Sequence, residues 1–345
     1  MRLSSPFWWY RRRGALAALL SPFAALYERV AVSRMTKGQP YRSRLPVICI
    51  GNFTAGGGGK TPTAIAIAKG LKNLGETPAF LTRGYGGKSQ GPLLVEKGMR
   101  AAEVGDESLL LAEHAPTVVS ADRAAGAKFI ENAQELGATV IVMDDGFQNN
   151  QLAKDLSLIV ADDGLGIGNG LVIPAGPLRA PLQAQLPRAD ALLLIGEGGN
   201  GAELAKTFEA ARKPVLKAKL IPRGDPRWLT VLPVIGFAGI ANPKKFYATL
   251  AEHGARVSET RSFPDHHLFT ERQARHLLNW AREWKCMLVT TEKDWVRLPE
   301  EDGSALGELR HRSRPFLVAI EFADPEAVKI LVEGALQRRR IQTSL

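Results

Sequence analysis

A glycine-rich turn between an apolar run and a helix-like stretch is the feature that most constrains this chain. Residues 47–63 read VICIGNFTAGGGGKTPT, so an apolar strand stops at four consecutive glycines, Gly56 to Gly59, and Lys60-Thr61 then opens a helix. Glycines let the backbone turn tightly and point its N–H groups at an anion, and the positive end of the following helix faces the same place. This order of strand, loop and helix predicts a site for the phosphates of a nucleoside triphosphate.

The side chains of this loop predict distinct contacts to the nucleotide. Lys60 would reach the terminal phosphates, and the hydroxyl of Thr61 would ligate Mg²⁺. The strict motif has glycine five positions before the Gly-Lys pair, where this chain has Thr54, and the glycine run supplies the flexibility instead. ATP and Mg²⁺ are therefore the predicted cofactors. The residues predicted to contact ATP are Asn52, Thr54, Ala55, Gly56, Gly57, Gly58, Gly59, Lys60, Thr61 and Pro62.

Composition narrows the class of protein. The chain carries a net charge of +10, but residues 1–44 hold nine Arg or Lys and a single acid, Glu28. The rest is nearly neutral, which argues against a nucleic-acid-binding ATPase despite the basic pI of about 9.7. The two cysteines, Cys49 and Cys286, lie far apart in apolar runs, which predicts buried thiols in a reducing compartment.

The basic segment 1–44 also carries a helical stripe of large apolar side chains. Its uncharged run, 14–27, is interrupted by Ser21-Pro22 and falls short of the roughly 20 apolar residues that span a bilayer. A cleaved signal peptide, a helix packed on the protein's own core and an in-plane membrane anchor all fit the pattern. We favour the anchor, because aromatic residues 7–10 beside three arginines suit the headgroup layer of an anionic membrane. The stripe consists of Leu16, Leu19, Leu20, Phe23, Leu26, Tyr27 and Val30.

Alternating strand-like and helix-like stretches predict an α/β fold with a P-loop NTPase-like, doubly wound parallel sheet, a second smaller α/β domain and an N-terminal amphipathic helix. The predicted strands are 46–50, 78–82, 117–120, 139–143, 156–161, 190–195, 215–220, 231–237, 256–258, 286–291 and 315–322. The predicted helices include 62–74, 107–114, 124–136, 202–212, 243–252, 270–284 and 324–338. The predicted division is an anchoring segment 1–44, a kinase-like domain 45–221, a turn-rich linker 222–230 and a smaller domain 231–345 that closes over the nucleotide.

Three aspartates and one histidine are the candidate metal-binding or catalytic residues of the predicted fold. Asp144 and Asp145 follow strand 139–143, at the sheet edge where P-loop folds hold Mg²⁺, although an Asp-Asp-Gly turn has the same letters. Asp106 either caps a helix or takes a proton from an acceptor hydroxyl. His266 follows Pro264-Asp265, so a carboxylate can orient or charge its imidazole, although single histidines are also common in structural roles.

Arginines in polar loops are further candidates for phosphate contacts. Each of them is also compatible with a surface or structural role. They are Arg83, Arg123 and Arg179.

In their order along the chain, these segments resemble the tetraacyldisaccharide 4'-kinase family, the lipid A 4'-kinases of Gram-negative bacteria. The matching segments lie between residues 51 and 294 and read GNFTAGGGGKTP, TRGYGG, GDE, SADR, DDGFQ, PAGPLR, FPDHH and TEKD. Thr54 in the loop is itself typical of that family. One position departs from the family pattern, because Ala180 stands where Glu is expected.

The resemblance implies transfer of the ATP γ-phosphate to the 4'-hydroxyl of a tetraacyl disaccharide 1-phosphate, in lipid A biosynthesis at the cytoplasmic face of the inner membrane. It implies that Asp106 is the base, that His266 supports it and that Lys60 is catalytic. Thr61, Asp144 and Asp145 would serve the metal, and Gln148 and Arg179 would line the nucleotide or acceptor side. The implied partners are the lipid and the anionic membrane surface, with no nucleic acid and no obligate protein partner. The alternative is a membrane-associated P-loop NTPase switch, which transfers phosphate only to water.

Overall fold

The computed structural model describes residues 6–300 and 303–344, which form two sheets flanked by helices. In chain order the strands are β1 (Val47–Gly51), β2 (Pro78–Thr82), β3 (Leu93–Leu94), β4 (Thr117–Val119), β5 (Val140–Asp144), β6 (Leu156–Asp162), β7 (Ala191–Ile195), β8 (Val215–Pro222), β9 (Val234–Ala238), β10 (Val257–Ser262), β11 (Met287–Thr291), β12 (Ser313–Phe316) and β13 (Val318–Phe322). The helices are α1 (Ala15–Thr36), α2 (Lys60–Asn73), α3 (Ala101–Val104), α4 (Asp106–Ala112), α5 (Arg123–Asn132), α6 (Leu182–Gln185), α7 (Ala202–Ala210), α8 (Pro243–Glu252), α9 (Glu271–Glu283), α10 (Glu292–Trp295), α11 (Ala305–Arg312) and α12 (Pro325–Ser344).

The larger sheet confirms the predicted doubly wound fold. Its strand order is β13-β8-β7-β6-β1-β5-β2-β4-β3, and pairing is parallel except at the two edges. Strand β1 lies between β5 and β6, so the carboxyl ends of these three strands meet in the middle of one sheet edge. Open α/β sheets bind ligands at this edge, where the strand order reverses.

Helices cover both faces of this sheet, because its strands alternate their side chains between two hydrophobic cores. Ile48 and Ile50 of β1 join the core under α2, whereas Val47 and Cys49 join the core on the opposite face. The Cys49 thiol is free and fully buried, and burial raises its pKa to about 11. Cys286 is also free and buried, which confirms that both cysteines are buried thiols.

The smaller sheet is fully parallel, with the order β10-β9-β11-β12. Its helices α8, α9 and α11 begin at side-chain caps, since Asn242, Thr270 and Ser304 each accept a hydrogen bond from a backbone N–H of the first turn. Two further cores lie on its faces. This unit therefore has its own hydrophobic interior, as the predicted second α/β domain requires.

The C-terminal end of the predicted smaller domain, 231–345, needs correction. Residues 315–322 are not one strand, because β12 belongs to the smaller sheet and β13 pairs antiparallel with β8 of the larger one. Helix α12 then buries Val328 and Val332 in the larger sheet's core. A continuous apolar run carries no sign that the chain passes from one sheet to another, which is why the pattern was misleading.

The predicted linker 222–230 also differs from expectation. Its first residue ends β8, and a 3₁₀ turn covers Pro226–Thr230. Leu229 is fully buried in a core of the smaller unit. Turn-forming residues therefore mark a compact connection here, anchored by one apolar side chain.

Helix α1 leaves the predicted apolar stripe uncovered. Its buried side chains are chiefly small ones, such as Ala17 and Ala24, whereas Leu19 and Phe23 are 70% and 64% exposed. Met35 near the end of the helix is buried in a core of the larger sheet, so α1 does pack on the protein, but the predicted stripe does not supply that contact. Pro22 lies inside the helix without ending it, and the 22 residues are long and apolar enough to cross a bilayer, a length that the uncharged run did not predict.

Candidate active site

The phosphate loop connects β1 to α2 and is held from inside by its own residues. Gly59 adopts a φ of +85°, and a Cβ there would lie 2.6 Å from Ile195 Cδ1, so this position requires glycine. The buried Asn52 side chain donates to the Gly56 carbonyl at 3.3 Å. The Ala55 N–H donates to the Pro177 carbonyl at 2.7 Å, which ties the loop to the segment before Arg179.

Lys60, the first residue of α2, lies in this loop with little access to solvent. Its side chain is 10% exposed, and its Nζ donates to the Gly56 carbonyl and lies 3.7 Å from Asp145 Oδ2. Burial lowers the pKa of Lys60, and the Asp145 carboxylate opposes that effect. A buried ammonium with one distant carboxylate partner is well suited to receive phosphate oxygens.

Thr61 and Asp144 form the oxygen-rich pair that the sequence predicts for Mg²⁺. The Thr61 hydroxyl donates to Asp144 Oδ2 at 2.9 Å, and both residues are buried. Asp144 Oδ1 is buried without a hydrogen-bond partner among the described residues. Burial raises the pKa of Asp144 to about 6, and the neighbouring Asp145 carboxylate adds to the rise. These hard oxygen donors fit Mg²⁺, which proteins bind through one or two side chains together with phosphates.

Asp145 differs from its neighbour in conformation and in partners. Its φ of +53° is uncommon for a residue other than glycine. Arg179 holds it with two parallel bonds, Nη1 to Oδ1 at 2.7 Å and Nη2 to Oδ2 at 3.0 Å. Burial alone raises the pKa of Asp145, but Lys60 and Arg179 outweigh it and hold the pKa well below its usual range. Asp145 is therefore an ionised anchor for the cations of the loop.

The remaining predicted lining residues lie at different depths. Gln148 donates to the Asn52 carbonyl at 2.7 Å and to Gln185 Oε1 at 2.8 Å, so it supports the loop from behind. Arg123 is buried at the start of α5 with its guanidinium on the Ser120 carbonyl, whereas Arg83 is exposed. Gln148 therefore lies against the phosphate loop, whereas the guanidinium of Arg123 bonds the backbone of its own turn.

Asp106, on a helix of the larger unit, and His266, in a loop of the smaller unit, meet beside a cavity of about 330 Å³. Asp106 is the first residue of α4 and is 3% exposed, and its Oδ1 lies 3.2 Å from His266 Nδ1. The cap position of α4 is Gly105, whose φ is +86° and where a Cβ would lie 2.7 Å from the Tyr85 carbonyl oxygen. Asp106 makes no capping bond, so the capping interpretation of this residue is wrong.

Three residues that the sequence did not single out complete this half of the site. Arg297 bonds Asp106, Lys293 pairs with Glu107, and Asp294 bonds Arg297. Burial and the adjacent Asp106 raise the pKa of Glu107 to about 7, although Lys293 opposes the rise. The TEKD segment was the available signal, since it contains Lys293 and Asp294 and ends three residues before Arg297.

The two halves share one electrostatic environment. Lys293, which pairs with Glu107 beside Asp106, also contributes to the lowered pKa of Lys60, after the larger effect of burial. The candidate site therefore combines a phosphate loop, a carboxylate at a strand end that accepts a bond from the Thr61 hydroxyl, and a carboxylate–imidazole pair. Such an arrangement can bind a nucleotide and receive a proton from an acceptor.

Comparisons with known proteins cover this whole arrangement. The family model for tetraacyldisaccharide-1-P 4'-kinase matches residues 16–336. A protein from Bradyrhizobium diazoefficiens named tetraacyldisaccharide 4'-kinase is 45% identical over 98% of both chains. One of the same name from Methylobacterium radiotolerans is 48% identical over 92% of this chain and 94% of its own length.

A solved structure agrees with these relatives. The crystal structure of LpxK from Aquifex aeolicus, described as the "apo" form in complex with ATP, is 29% identical, with a TM-score of 0.72. It covers 93% of this chain and 99% of its own. Because the family model, the relatives and this structure span both sheets and the residues between them, the chain belongs to the tetraacyldisaccharide-1-P 4'-kinase family.

Proposed function

We propose that this protein transfers the γ-phosphate of ATP to the 4'-hydroxyl of a tetraacyl disaccharide 1-phosphate in lipid A biosynthesis. The observation that carries the proposal is the Asp106–His266 pair, which lies at a cavity. Lys293 links this pair to the phosphate loop, because it pairs with Glu107 beside Asp106 and acts electrostatically on Lys60. A switch that transfers phosphate only to water has no need of such a pair contributed by the larger and the smaller unit. The names of the relatives supply the acceptor.

On the nucleotide side, each charged residue has a separate task. Lys60 would bind the terminal phosphates, and Arg179 keeps Asp145 ionised close to Lys60. Thr61 and Asp144 would hold Mg²⁺, which neutralises charge on the β- and γ-phosphates when it is bound. Asp144 suits this task better than Asp145, because one of its oxygens is unpartnered among the described residues and Asp145 is engaged by Arg179.

On the acceptor side, we assign Asp106 as the group that receives the hydroxyl proton. Burial raises the pKa of Asp106, but His266, Lys293 and Arg297 hold it well below its usual range, so the carboxylate is ionised at neutral pH. A weak base is sufficient, since phosphoryl transfer depends mainly on positioning and charge neutralisation. His266 orients the carboxylate and can share the proton.

Membrane association follows from the chemistry of the acceptor. A tetraacylated lipid stays in the bilayer, so the kinase must work at its surface. The uncovered apolar stripe of α1, preceded by Arg11, Arg12 and Arg13, suits an anionic leaflet. We therefore place the protein at the cytoplasmic face of the inner membrane, held by α1.

The test is transfer of labelled γ-phosphate from ATP to the disaccharide 1-phosphate lipid in detergent micelles. Wild type should label the lipid, and Lys60→Ala and Asp106→Asn should each lose at least about 10²-fold in rate. Glu283→Gln, an exposed change on α9, should retain full activity. Phosphate released only to water, at equal rates in wild type and Asp106→Asn, would instead identify an NTPase switch.

A further inference from the structure

We propose that Arg297 is a positioning residue for phosphoryl transfer, which fixes one oxygen of the Asp106 carboxylate so that the other faces His266 and the acceptor hydroxyl. This inference rests on the role proposed above for Asp106. Arg297 itself makes no contact with the phosphate loop in the hydrogen bonds of the described residues. Its contribution would act through Asp106.

The contacts of Arg297 divide the two carboxylate oxygens of Asp106. Arg297 donates from Nε to Asp106 Oδ2 at 3.0 Å and from Nη2 to the same oxygen. Oδ1 is the oxygen that lies 3.2 Å from His266 Nδ1. Because the fork of donors holds Oδ2, rotation of the carboxylate is restricted and Oδ1 keeps its direction toward the imidazole.

Arg297 is in turn held rigidly by the smaller sheet. Its Nη1 donates to Asp294 Oδ1 at 2.7 Å and to the Gly239 carbonyl at 2.8 Å. Asp294 is fully buried and accepts from the Gly239 N–H and the Thr291 hydroxyl. The guanidinium is therefore set in place on one sheet and presented to a carboxylate that belongs to the other sheet's helix α4.

The ion pair between Arg297 and Asp106 is buried, so its loss should have a large effect. The side chains of Arg297 and Asp106 are 2% and 3% exposed, so water cannot replace either partner at low energetic cost. Both residues also line the cavity that holds His266, which places the pair beside the reacting groups and not in a remote core. Removal of the guanidinium would leave a buried carboxylate with the His266 imidazole and the Lys293 ammonium as neighbours.

The same geometry explains how these acids are neutralised. Ligand atoms of Asp106, Glu107 and His266 lie within 4.8 Å of one another, a spacing that a cation could use. Arg297 and Lys293 already pair with the two carboxylates. These two side-chain cations therefore balance the charge of the carboxylates in this cluster.

The experiment compares Arg297→Lys, Arg297→Gln and Arg297→Ala in the full-length protein, with Arg282→Gln as an exposed arginine control. Each variant is assayed for kcat and KM of the lipid as a function of pH, for ATP affinity and for thermal unfolding. Arg297→Gln should lower kcat about 10²–10³-fold, with smaller changes in KM and ATP affinity. Arg297→Lys should lower kcat but leave the pH dependence close to wild type, because it keeps the charge and loses the fork.

The pH profile separates positioning from simple packing. The titratable and charged groups that face Asp106 are Glu107 from α4, Lys293 and Asp294 from α10, His266 from the loop before α9, and Arg297. Loss of the Arg297 charge should raise the pKa of Asp106, so the acid limb of kcat should move to higher pH in Arg297→Gln. Added guanidinium should restore part of the activity of Arg297→Ala and none of Asp106→Ala.

The inference is overturned if Arg297→Gln or Arg297→Lys labels the lipid at the wild-type rate with an unchanged pH profile. It is also overturned if Arg297→Ala loses ATP affinity and thermal stability together and guanidinium restores no activity, since Arg297 would then be only structural. Should the glutamine and alanine variants fail to fold, the Arg297→Lys kcat decides between positioning and no effect. Failure of wild type to label the lipid would instead refute the proposed function.

Discussion

At the scale of single residues, the buried position of Asp144 is unfavourable for its ionised carboxylate unless a cation is bound there. One of its oxygens is buried without a partner among the described residues, and its pKa is raised to about 6. A carboxyl group whose pKa is higher in the folded than in the unfolded protein stabilises the fold fully only below its unfolded pKa, about 4. For Asp144 this contribution to the unfolding free energy is lost as the pH rises through the folded pKa of about 6. At neutral pH, ionised Asp144 therefore destabilises the protein unless Mg²⁺ is bound.

Asp144→Asn should consequently stabilise the nucleotide-free protein. Each pKa unit corresponds to about 1.4 kcal/mol, so the gain in unfolding free energy at pH 7.5 should approach about 3 kcal/mol, less the cost of a weaker bond to Thr61. The gain should vanish near pH 4, where wild-type Asp144 is protonated. Thermal or urea unfolding across this pH range tests it, with Glu252→Gln, an exposed change at the end of α8, as a control. Equal stability of wild type and variant at pH 7.5 would contradict it.

The residues of the site were predictable to the extent that local sequence defines them. Lys60 and Thr61 follow from one loop, and Asp144 from one strand end. Arg297 did not follow, because its partner Asp106 lies 191 positions away and on the other sheet's side of the cavity. Asp145 was predicted as a metal residue, and neither its two bonds to Arg179 nor its φ of +53° could be derived from the local sequence.

At the scale of elements, α1 and the turn before it form a surface unit. Trp9 of the 3₁₀ turn Phe7–Tyr10 is buried, and its Nε1 donates to the Pro174 carbonyl at 3.0 Å. The Asn169 N–H donates to the Trp9 carbonyl at 2.7 Å. The turn is thus attached to the loop that precedes Arg179, while the apolar stripe of α1 remains uncovered. This connection joins the proposed membrane surface to the phosphate loop.

Substitution in the stripe should weaken membrane binding without loss of fold. Leu19→Ser with Phe23→Ser removes two side chains whose full transfer from water is worth about 1.5–3 kcal/mol each, so partition into anionic vesicles should fall at least tenfold. The control is Val231→Ser with Leu232→Ser, which changes two exposed apolar residues away from α1. Vesicle co-sedimentation measures both. Equal partition of the two double variants would refute the anchoring role of α1.

Most elements were predictable because each has a clear local pattern. Helix α8 begins and ends where the sequence indicated, at 243–252, and β2 at 78–82. Errors occurred where the signal is not local. The run 315–322 is apolar almost throughout. Only the pairing of β13 with β8 shows that its second part belongs to the larger sheet and its first part to the smaller one. The length of α1 was likewise missed, because Pro22 reads as a break but is accommodated in the helix.

At the scale of the whole molecule, the smaller unit is an insertion between two paired strands. Val318 at the start of β13 faces Pro222 at the end of β8, so residues 223–317 leave and re-enter the larger sheet at adjacent points. Ion pairs then join the two units across the site, including Glu107 with Lys293 and Asp162 with Lys245. The inserted unit is therefore held to the larger one by its two chain connections and by these ion pairs.

The insertion predicts how the chain can be divided. Deletion of 223–317, with Pro222 and Val318 joined by an Asn-Gly turn, should leave a larger unit that folds cooperatively, because this turn suits adjacent antiparallel strands. A chain that stops at residue 222 should fail to fold. It lacks the buried α12 side chains Val328, Val332 and Leu336, worth about 1.5–3 kcal/mol each against a total stability of about 5–15 kcal/mol.

Unfolding in detergent distinguishes these outcomes, with fragment 223–317 measured alongside as a third chain. That fragment contains the smaller sheet and nearly all of its two cores, so it should unfold cooperatively on its own. The bridged chain should still bind ATP through Lys60 but should transfer no phosphate to lipid, since His266 and Arg297 are absent from it. If the chain ending at 222 proved as stable as the bridged one, α12 would not be part of the larger core, and the corrected boundary at residue 317 would be wrong.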